Sequence, residues 1–257
     1  MSTGPKQQSQ ERFGRFAPSY VTSAGHARGA ELERLLALAA PEADWRTLDV
    51  ATGGGHTALK IAPHVRQIVA SDLTPAMLEA ARAHIGLQAP NAAFAAADAE
   101  RLPFAAGAFD LVTCRIAPHH FPDCAQFVRE MARVLKPGGY AVLIDNTVPA
   151  DTVAARHVNA FEQLRDPSHH WAHTEADWLD FFAAAGLAVQ HQERFRKQRD
   201  FDYWTGMMSV RPAVKDQLRV MLLQAPTAAR AALAPEAAGD QLKFYLTEIL
   251  LLAQKPG

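Results

Sequence analysis

Residues 47–62, TLDVATGGGHTALKIA, place an acidic side chain shortly before a run of glycines. The stretch begins as an apolar, strand-like segment containing Asp49, turns at residues 53–55 and continues as helix-like sequence. Glycines at such a turn permit positive φ angles and let a ligand approach the backbone closely. The helix that follows offers unpaired N–H groups in its first turn. The stretch therefore predicts a ligand site where a strand passes into a helix.

The predicted elements indicate how this turn is positioned. Helical patterns at 26–40, 56–65, 74–87 and 123–135 alternate with strand-like segments at 47–51, 67–72, 92–98, 109–116 and 140–145. Repeated βα units predict an α/β fold, with a doubly wound, mostly parallel sheet covered by helices on both faces. Such sheets bind ligands beyond the carboxyl ends of their strands, which is where the glycine turn lies. The second half is predicted to contain helices at 151–165, 174–185 and 200–238, and strands at 187–195 and 243–255.

Composition limits the classes of function. The chain has 257 residues, of which 49% are hydrophobic, and a net charge of −1, so it suits one α/β domain. The absence of a basic excess argues against a nucleic-acid or membrane-surface binder and favours a small-molecule partner. Two cysteines make no disulfide scaffold, and the polar N-terminus has no signal-peptide pattern. We therefore expect a cytoplasmic protein with no nucleic-acid or membrane partner, and a homodimer stays open.

Two ligands fit the glycine turn. Gly53, Gly55 and Ala58 match the dinucleotide pattern G-x-G-x-x-G/A, and Asp72 follows at about the spacing of its acidic residue. A dinucleotide would place its pyrophosphate at the helix N-terminus. S-adenosylmethionine would instead lay its amino-acid end and ribose along the turn. Asp49 favours this second ligand, because an anion inside the strand suits a cationic ammonium group and not a pyrophosphate.

Four motifs together resemble the class I S-adenosylmethionine-dependent methyltransferases, in the group of the ubiquinone/menaquinone C-methyltransferases. The motifs are LDVATGGGHTA, VASDLTPAML, ADAERLPF and RVLKPGGYAVLID, and the resemblance is strong over residues 13–148. It implies a Rossmann-like sheet of seven strands with a helical lid, S-adenosylmethionine as cofactor and methyl transfer to a small-molecule acceptor. Ala51 departs from the pattern, since it stands where the family usually has its first glycine.

The resemblance also implies which residues hold the cofactor. Asp72 would bind the ribose hydroxyls, while Asp98 and the Ala99 backbone would contact the adenine. Arg115 would contact the amino-acid tail or orient the loop, with a purely structural role as the alternative. The full expected set is Asp49, Ala51, Thr52, Gly53, Gly55, Asp72, Leu73, Met77, Asp98, Ala99, Arg115 and Tyr20.

The resemblance further suggests a division of the chain into a covering segment and one domain. Residues 1–25 would fold over the cofactor through Phe16, Tyr20 and, just beyond the segment, His26, although these side chains could instead dock the first helix. Residues 1–10 are expected to be disordered, because they are polar and offer nothing to bury. Residues 26–257 would form a single methyltransferase domain, to which about 151–240 contribute an acceptor-binding lid.

Histidines follow the fourth predicted strand in RIAPHHF, residues 115–121. His119 and His120 would lie next to the transferred methyl group, where a side chain that titrates near neutrality suits a general base. One of the two could instead pack against the helix at 123–135. We predict both as catalytic residues.

A second polar cluster occurs in RDPSHHWAH, residues 165–173. Arg165, His169 and His170 are predicted to bind the acceptor as part of the lid. Zinc or iron held by the histidines and Asp166 is an alternative. The segment lacks H-x-x-x-H and C-x-x-C spacings, so no metal is predicted.

Three other functions stay open at this point. An NAD-dependent oxidoreductase is compatible with the glycine pattern, although no Tyr-x-x-x-Lys pair is evident. A non-catalytic protein could retain the S-adenosylmethionine-binding fold as a sensor. A third possibility is a different reaction that uses the same cofactor.

Overall fold

The computed structural model describes residues 4–21 and 29–257, without the side chains of residues 16–21. The helices of this part of the chain are α1 (Pro5–Val21), α2 (Ala30–Ala39), α3 (His56–Ile61), α4 (Pro75–Ile85), α5 (Cys124–Val134), α6 (Thr152–Arg165), α7 (Glu175–Ala184), α8 (Phe201–Gly206), α9 (Pro212–Leu223) and α10 (Thr227–Leu233). Short 3-10 helices occupy Ala62–His64 and Pro118–His120. Among the helices of these residues, none combines the length and apolarity that crossing a membrane requires.

The strands form one eight-stranded sheet in the order β3-β2-β1-β4-β5-β8-β6, with β7 paired to β8. The strands are β1 (Arg46–Val50), β2 (Gln67–Asp72), β3 (Ala92–Ala96), β4 (Phe109–Arg115), β5 (Leu135–Thr147), β6 (Ala188–Asp200), β7 (Glu236–Ala238) and β8 (Gln241–Gln254). The first five are parallel, whereas β8 lies antiparallel between β5 and β6. The expected mostly parallel sheet is confirmed, and its seven main strands gain a short eighth, β7.

Helices cover both faces of the sheet because successive strand residues point to opposite sides. On one face, Leu143 of β5 belongs to a buried cluster with Phe127 of α5 and Trp178 of α7. On the other face, Ile144 belongs to a cluster with Leu35 of α2. The doubly wound arrangement expected from the βα alternation is therefore present.

A further helical layer packs on the N-terminal half of β8. Phe161 of α6 stacks on Trp204 of α8 with ring centroids 4.9 Å apart, and both rings meet Phe244 of β8 edge-on. Leu218 and Leu222 of α9 complete this buried cluster. The layer falls within the predicted lid at about 151–240, and its acceptor-binding role stays a prediction.

Helix α1 corrects the expectation of disorder for residues 5–10, since the helix begins at Pro5, while residues 1–3 lie outside the described residues. Polar contacts hold this part of it. The Lys6 ammonium lies 2.6 Å from carboxylate oxygens of both Asp98 and Glu100, and the Gln10 side chain donates to the Leu73 carbonyl at 2.9 Å. A polar segment with no apolar residues to bury can therefore be ordered by ion pairs and hydrogen bonds to loops distant in sequence.

Candidate active site

A cavity of about 1010 Å³, counting the part open to solvent, lies at the carboxyl ends of β1, β2, β3 and β4. The strand order reverses between β1 and β4, which is where open α/β sheets bind their ligands. Ten of the twelve predicted cofactor-binding residues line it: Asp49, Ala51, Thr52, Gly53, Asp72, Leu73, Met77, Asp98, Ala99 and Arg115. The side chain of Tyr20, in α1, is outside the described residues, as is His26 altogether; the Phe16 side chain is likewise not described.

Asp49 lines the cavity and is buried, with only 1% of its surface exposed. Its two carboxylate oxygens accept hydrogen bonds of 2.7 Å from the hydroxyls of Thr52 and Thr113. Burial raises the pKa of Asp49 to about 6, against the opposing effect of these two hydroxyls and of Arg115. At pH 7 the residue therefore carries a negative charge in a largely dry environment, which favours a cationic ligand group.

Asp72 ends β2 and holds the glycine turn in place. Its carboxylate accepts the backbone N–H of Gly53 at 3.0 Å and that of Thr74 at 2.9 Å. Burial raises the pKa of Asp72, and the same backbone donors partly offset this effect. The carboxylate is thus fixed between the turn after β1 and the start of α4, on the cavity wall.

The turn residues differ in what they do. Ala51 has φ +51°, a left-handed conformation that costs a non-glycine residue about 1–2 kcal/mol. The chain therefore accommodates alanine in place of the family's usual glycine at position 51, at the cost of backbone strain. Gly55 has φ +83° and does not line the described cavity; a Cβ atom there would lie 3.1 Å from the Ile85 side chain. Its lack of a side chain lets the turn pack against α4, so a direct ligand contact stays a prediction.

Asp98 and Glu100 join the cavity to α1. Asp98 accepts the backbone N–H of Glu100 at 3.0 Å and is bridged by Lys6 to the Glu100 carboxylate. Lys6, Ser9 and Phe13 of α1 also line the cavity. Sequence reasoning missed these three, whose spacing of three and four residues is the signal of one helix face.

Arg115, the last residue of β4, lines the cavity with only 5% of its side chain exposed. Its Nε donates to the Thr57 hydroxyl at 3.1 Å, and its Nη1 donates to the Glu31 carboxylate at 2.9 Å. Glu31, in the first turn of α2, was also missed by sequence reasoning. Acidic residues are common in the first turn of a helix because they interact favourably with the helix dipole, so Glu31 gave no sign of a role at the site.

The predicted histidine pair divides between the cavity and the interior. His120 lines the cavity, meets the Phe13 ring edge-on at 4.8 Å and lies 2.9 Å through Nδ1 from the Ser168 carbonyl. Because a carbonyl only accepts, Nδ1 of His120 carries the proton. His119 is buried behind it, with ring centroids 4.2 Å apart, and its Nδ1 donates to Asp145 at 2.6 Å. His119 is not among the described residues that line the cavity.

The pKa values of the two histidines shift in opposite directions. Burial opposes protonation of His119, but the Asp145 carboxylate beside it prevails and raises the pKa of His119. For His120, burial followed by the nearby His119 charge lowers the pKa to about 3. His120 is therefore a neutral imidazole at physiological pH, with Nε2 unprotonated.

Arg165, His169 and His170 do not line the described cavity, so the geometry gives no support to their predicted contact with the acceptor. Arg165 lies over the Trp204 ring at 4.5 Å and donates to the Trp204 carbonyl at 3.0 Å. His169 is buried and bonds to Asn159 at 2.8 Å, whereas His170 is exposed.

The loop instead supports the histidine pair through its backbone. The N–H groups of His170 and Trp171 donate to the His119 carbonyl at 2.8 and 3.0 Å. Within the described residues, no three histidine, cysteine, aspartate or glutamate side chains are grouped so that they could hold a metal ion.

The family model for the methyltransferase domain matches residues 48–143, which contain the glycine turn, Asp72, Asp98, Arg115 and both histidines. The chain is 37% identical to the uncharacterized methyltransferase YcgJ of Bacillus subtilis over 75% of this chain and 76% of that protein. The chain belongs to the class I methyltransferases.

Two further comparisons place this methyltransferase among its relatives. The crystal structure of YcgJ from Bacillus subtilis superposes with a TM-score of 0.86 at 33% identity, covering 90% of this chain and all of that chain. The demethylmenaquinone methyltransferase of Deinococcus radiodurans is 41% identical over 55% of this chain and 61% of its own length. The family resemblance seen in the sequence is thereby confirmed.

Proposed function

We propose that this methyltransferase transfers the methyl group of S-adenosylmethionine to a small organic acceptor. The observation that carries the proposal is the meeting of four charged strand-end residues, Asp49, Asp72, Asp98 and Arg115, around one cavity. In the sequence, the glycine turn lies between Asp49 and Asp72. Membership of the methyltransferase family supports the reaction type. The cofactor, when bound, would supply a sulfonium-activated methyl group.

The charges suit the parts of this cofactor. Asp72, on the wall beside the turn, would accept the ribose hydroxyls, and the segment at Asp98 and Ala99 would contact the adenine. Asp49 and Arg115 present one anion and one cation to the cavity, a match for the zwitterionic amino-acid end. The pair also distinguishes this ligand from a dinucleotide, whose pyrophosphate would repel Asp49.

His120 is our candidate for the group that contacts the acceptor. With Nδ1 bonded to the Ser168 carbonyl, its unprotonated Nε2 can accept a hydrogen bond that orients the acceptor. His119 would act through His120, because it is buried against Asp145. Phe13 packs on the same imidazole, so α1 would complete this end of the site and exclude water.

The acceptor is expected to be uncharged before it reacts. Among the described residues, the lysine and arginine side chains on the cavity wall are Lys6 and Arg115, and both are already in ion pairs with carboxylates. Hydroxylated aromatic compounds are the first class to test, since their hydroxyl can donate a hydrogen bond to a neutral imidazole, and one relative is named for a demethylmenaquinone substrate.

The test is an acceptor screen with a labelled methyl donor, in which product is identified by mass spectrometry. We expect label in a small-molecule product, and a decrease in kcat of about a hundredfold in His120→Asn with little change in donor KM, because the acceptor loses the imidazole that orients it. His64→Asn, at an exposed histidine that does not line the described cavity, is the matched control. An active His120→Asn enzyme would remove this residue from the mechanism, and NAD reduction in place of methyl transfer would refute the proposal.

A further inference from the structure

The Arg115 side chain is held by partners on two different helices. Thr57 of α3 binds its Nε, and Glu31 of α2 binds its Nη1. A guanidinium bound at two of its nitrogens has its plane fixed, which is what bidentate recognition of a carboxylate requires. The direction in which Arg115 faces the cavity therefore depends on groups outside β4.

Glu31 is 1% exposed and belongs to a chain of alternating charges. Its second carboxylate oxygen lies 2.5 Å from Lys197 of β6, which in turn lies 2.8 Å from Glu248 of β8. Glu248 also pairs with Arg199 at 3.2 Å. Burying charges is costly unless each has partners, so this network stabilises the Glu31 carboxylate in one position.

Gly29, at the N-cap of α2, makes room for that position. A Cβ atom at residue 29 would lie 1.9 Å from Oε1 of Glu31, the same oxygen that binds Arg115. The helix start thus has space for the carboxylate only because residue 29 lacks a side chain. Glu31 itself is not among the described residues that line the cavity, so any effect on a ligand must pass through Arg115.

We propose that Glu31 is a positioning residue that aims Arg115 at the carboxylate of the cofactor's amino-acid end. This inference rests on the proposed function. Without the Glu31 charge, the guanidinium would lose the ionic partner of Nη1, and Lys197 would keep Glu248 as its carboxylate partner. The consequence should be specific to the part of the ligand that Arg115 binds.

The experiment compares two ligands that differ only in that carboxylate, S-adenosylmethionine and decarboxylated S-adenosylmethionine, by calorimetry on the full chain. Wild type should bind the first more tightly. Glu31→Gln should weaken binding of S-adenosylmethionine by about tenfold or more and change binding of the decarboxylated ligand by less than about twofold. Glu33→Gln, in the same helical turn but on a surface ion pair with Lys60, is the control and should change neither.

Gly29→Ala provides a second variant that keeps every charge and displaces the carboxylate. It should reproduce the selective loss even if Glu31→Gln unfolds. Equal loss for both ligands in a folded variant, or no loss for S-adenosylmethionine, would overturn the positioning role. If wild type bound neither ligand, the proposed function itself would fail, so the two failures are distinguishable.

Discussion

At the scale of single residues, Asp72 offers the most direct test of the cofactor site. Its carboxylate accepts two backbone N–H groups and lines the cavity. Asp72→Asn keeps the shape but replaces one acceptor oxygen by a donor, so we expect S-adenosylmethionine to bind about tenfold or more weakly in calorimetry. Asp44→Asn, at an exposed loop position, should bind like wild type. Unchanged affinity in a folded Asp72→Asn variant would contradict the proposed ribose contact.

His169 makes a prediction about stability and pH. Burial, together with the neighbouring His119 charge, lowers its pKa to about 2, whereas an unfolded histidine titrates near 6.5. Between these values the unfolded chain binds one more proton at this residue. As pH falls through this range, His169 therefore lowers the free energy of unfolding by about 1.4 kcal/mol per pH unit.

His169→Gln removes that contribution and retains a donor for Asn159. Urea unfolding at several pH values from about 6 to about 4 should give a slope smaller than that of wild type by about 1.4 kcal/mol per pH unit. The exposed residue His170, changed to Gln, serves as the comparison and should leave the slope unaltered. Equal slopes for His169→Gln and wild type would show that His169 is protonated in the folded protein.

The sequence identified site residues at the ends of regular strands more reliably than those in turns and loops. Asp49, Asp72 and Asp98 could be predicted because they fall in the motifs that carry the family resemblance, and these motifs lie at or just after strand ends that meet at one edge of a parallel sheet. Gly55 fits the same pattern but packs against Ile85, and a pattern cannot distinguish a ligand contact from a close helix approach. His120 and His170 look alike in sequence, yet only His120 lines the cavity.

At the scale of elements, α1 is the part of the site that the sequence left undefined. Strands and amphipathic helices can be predicted from the periodicity of their apolar residues, as the confirmed alternation of strands and helices from β1 to β5 shows. Residues 5–10 have no such period, because their order comes from partners more than 60 residues away, such as Leu73 and Asp98. Long-range polar contacts of this kind leave no local signal.

Helix α1 should also control how fast the cofactor leaves. Lys6 ties it to Asp98 and Glu100 through part-exposed ion pairs, each contributing about 0–1 kcal/mol. Lys6→Gln should therefore speed dissociation of S-adenosylmethionine about two- to fivefold in stopped-flow measurements at low salt, and molar salt should erase the difference. Lys60→Gln removes a comparable pair away from the cavity and should have no effect. An unchanged dissociation rate for Lys6→Gln would mean that α1 does not retain the ligand.

At the scale of the whole molecule, the site joins parts of the chain that are far apart in sequence. The cavity takes walls from α1, from three strand ends and from the loops after β3 and β4, and Arg115 is supported through Glu31 by β6 and β8. A ligand that fills the cavity therefore contacts or stabilises most of the sheet. Ligand binding should therefore raise the free energy of unfolding of the whole domain and not only order the residues around the cavity.

A ligand present at about a hundred times its dissociation constant raises the free energy of unfolding by about 2.7 kcal/mol if it binds only the folded state. For a chain of this size that corresponds to a rise in melting temperature of roughly 5–10 °C. We expect such a rise with S-adenosylmethionine and none with NAD, because a pyrophosphate at the glycine turn would lie near the buried Asp49 carboxylate. Asp72→Asn should reduce the rise at fixed ligand concentration. Stabilisation by NAD instead would reverse the choice between the two ligands that the glycine pattern alone permits.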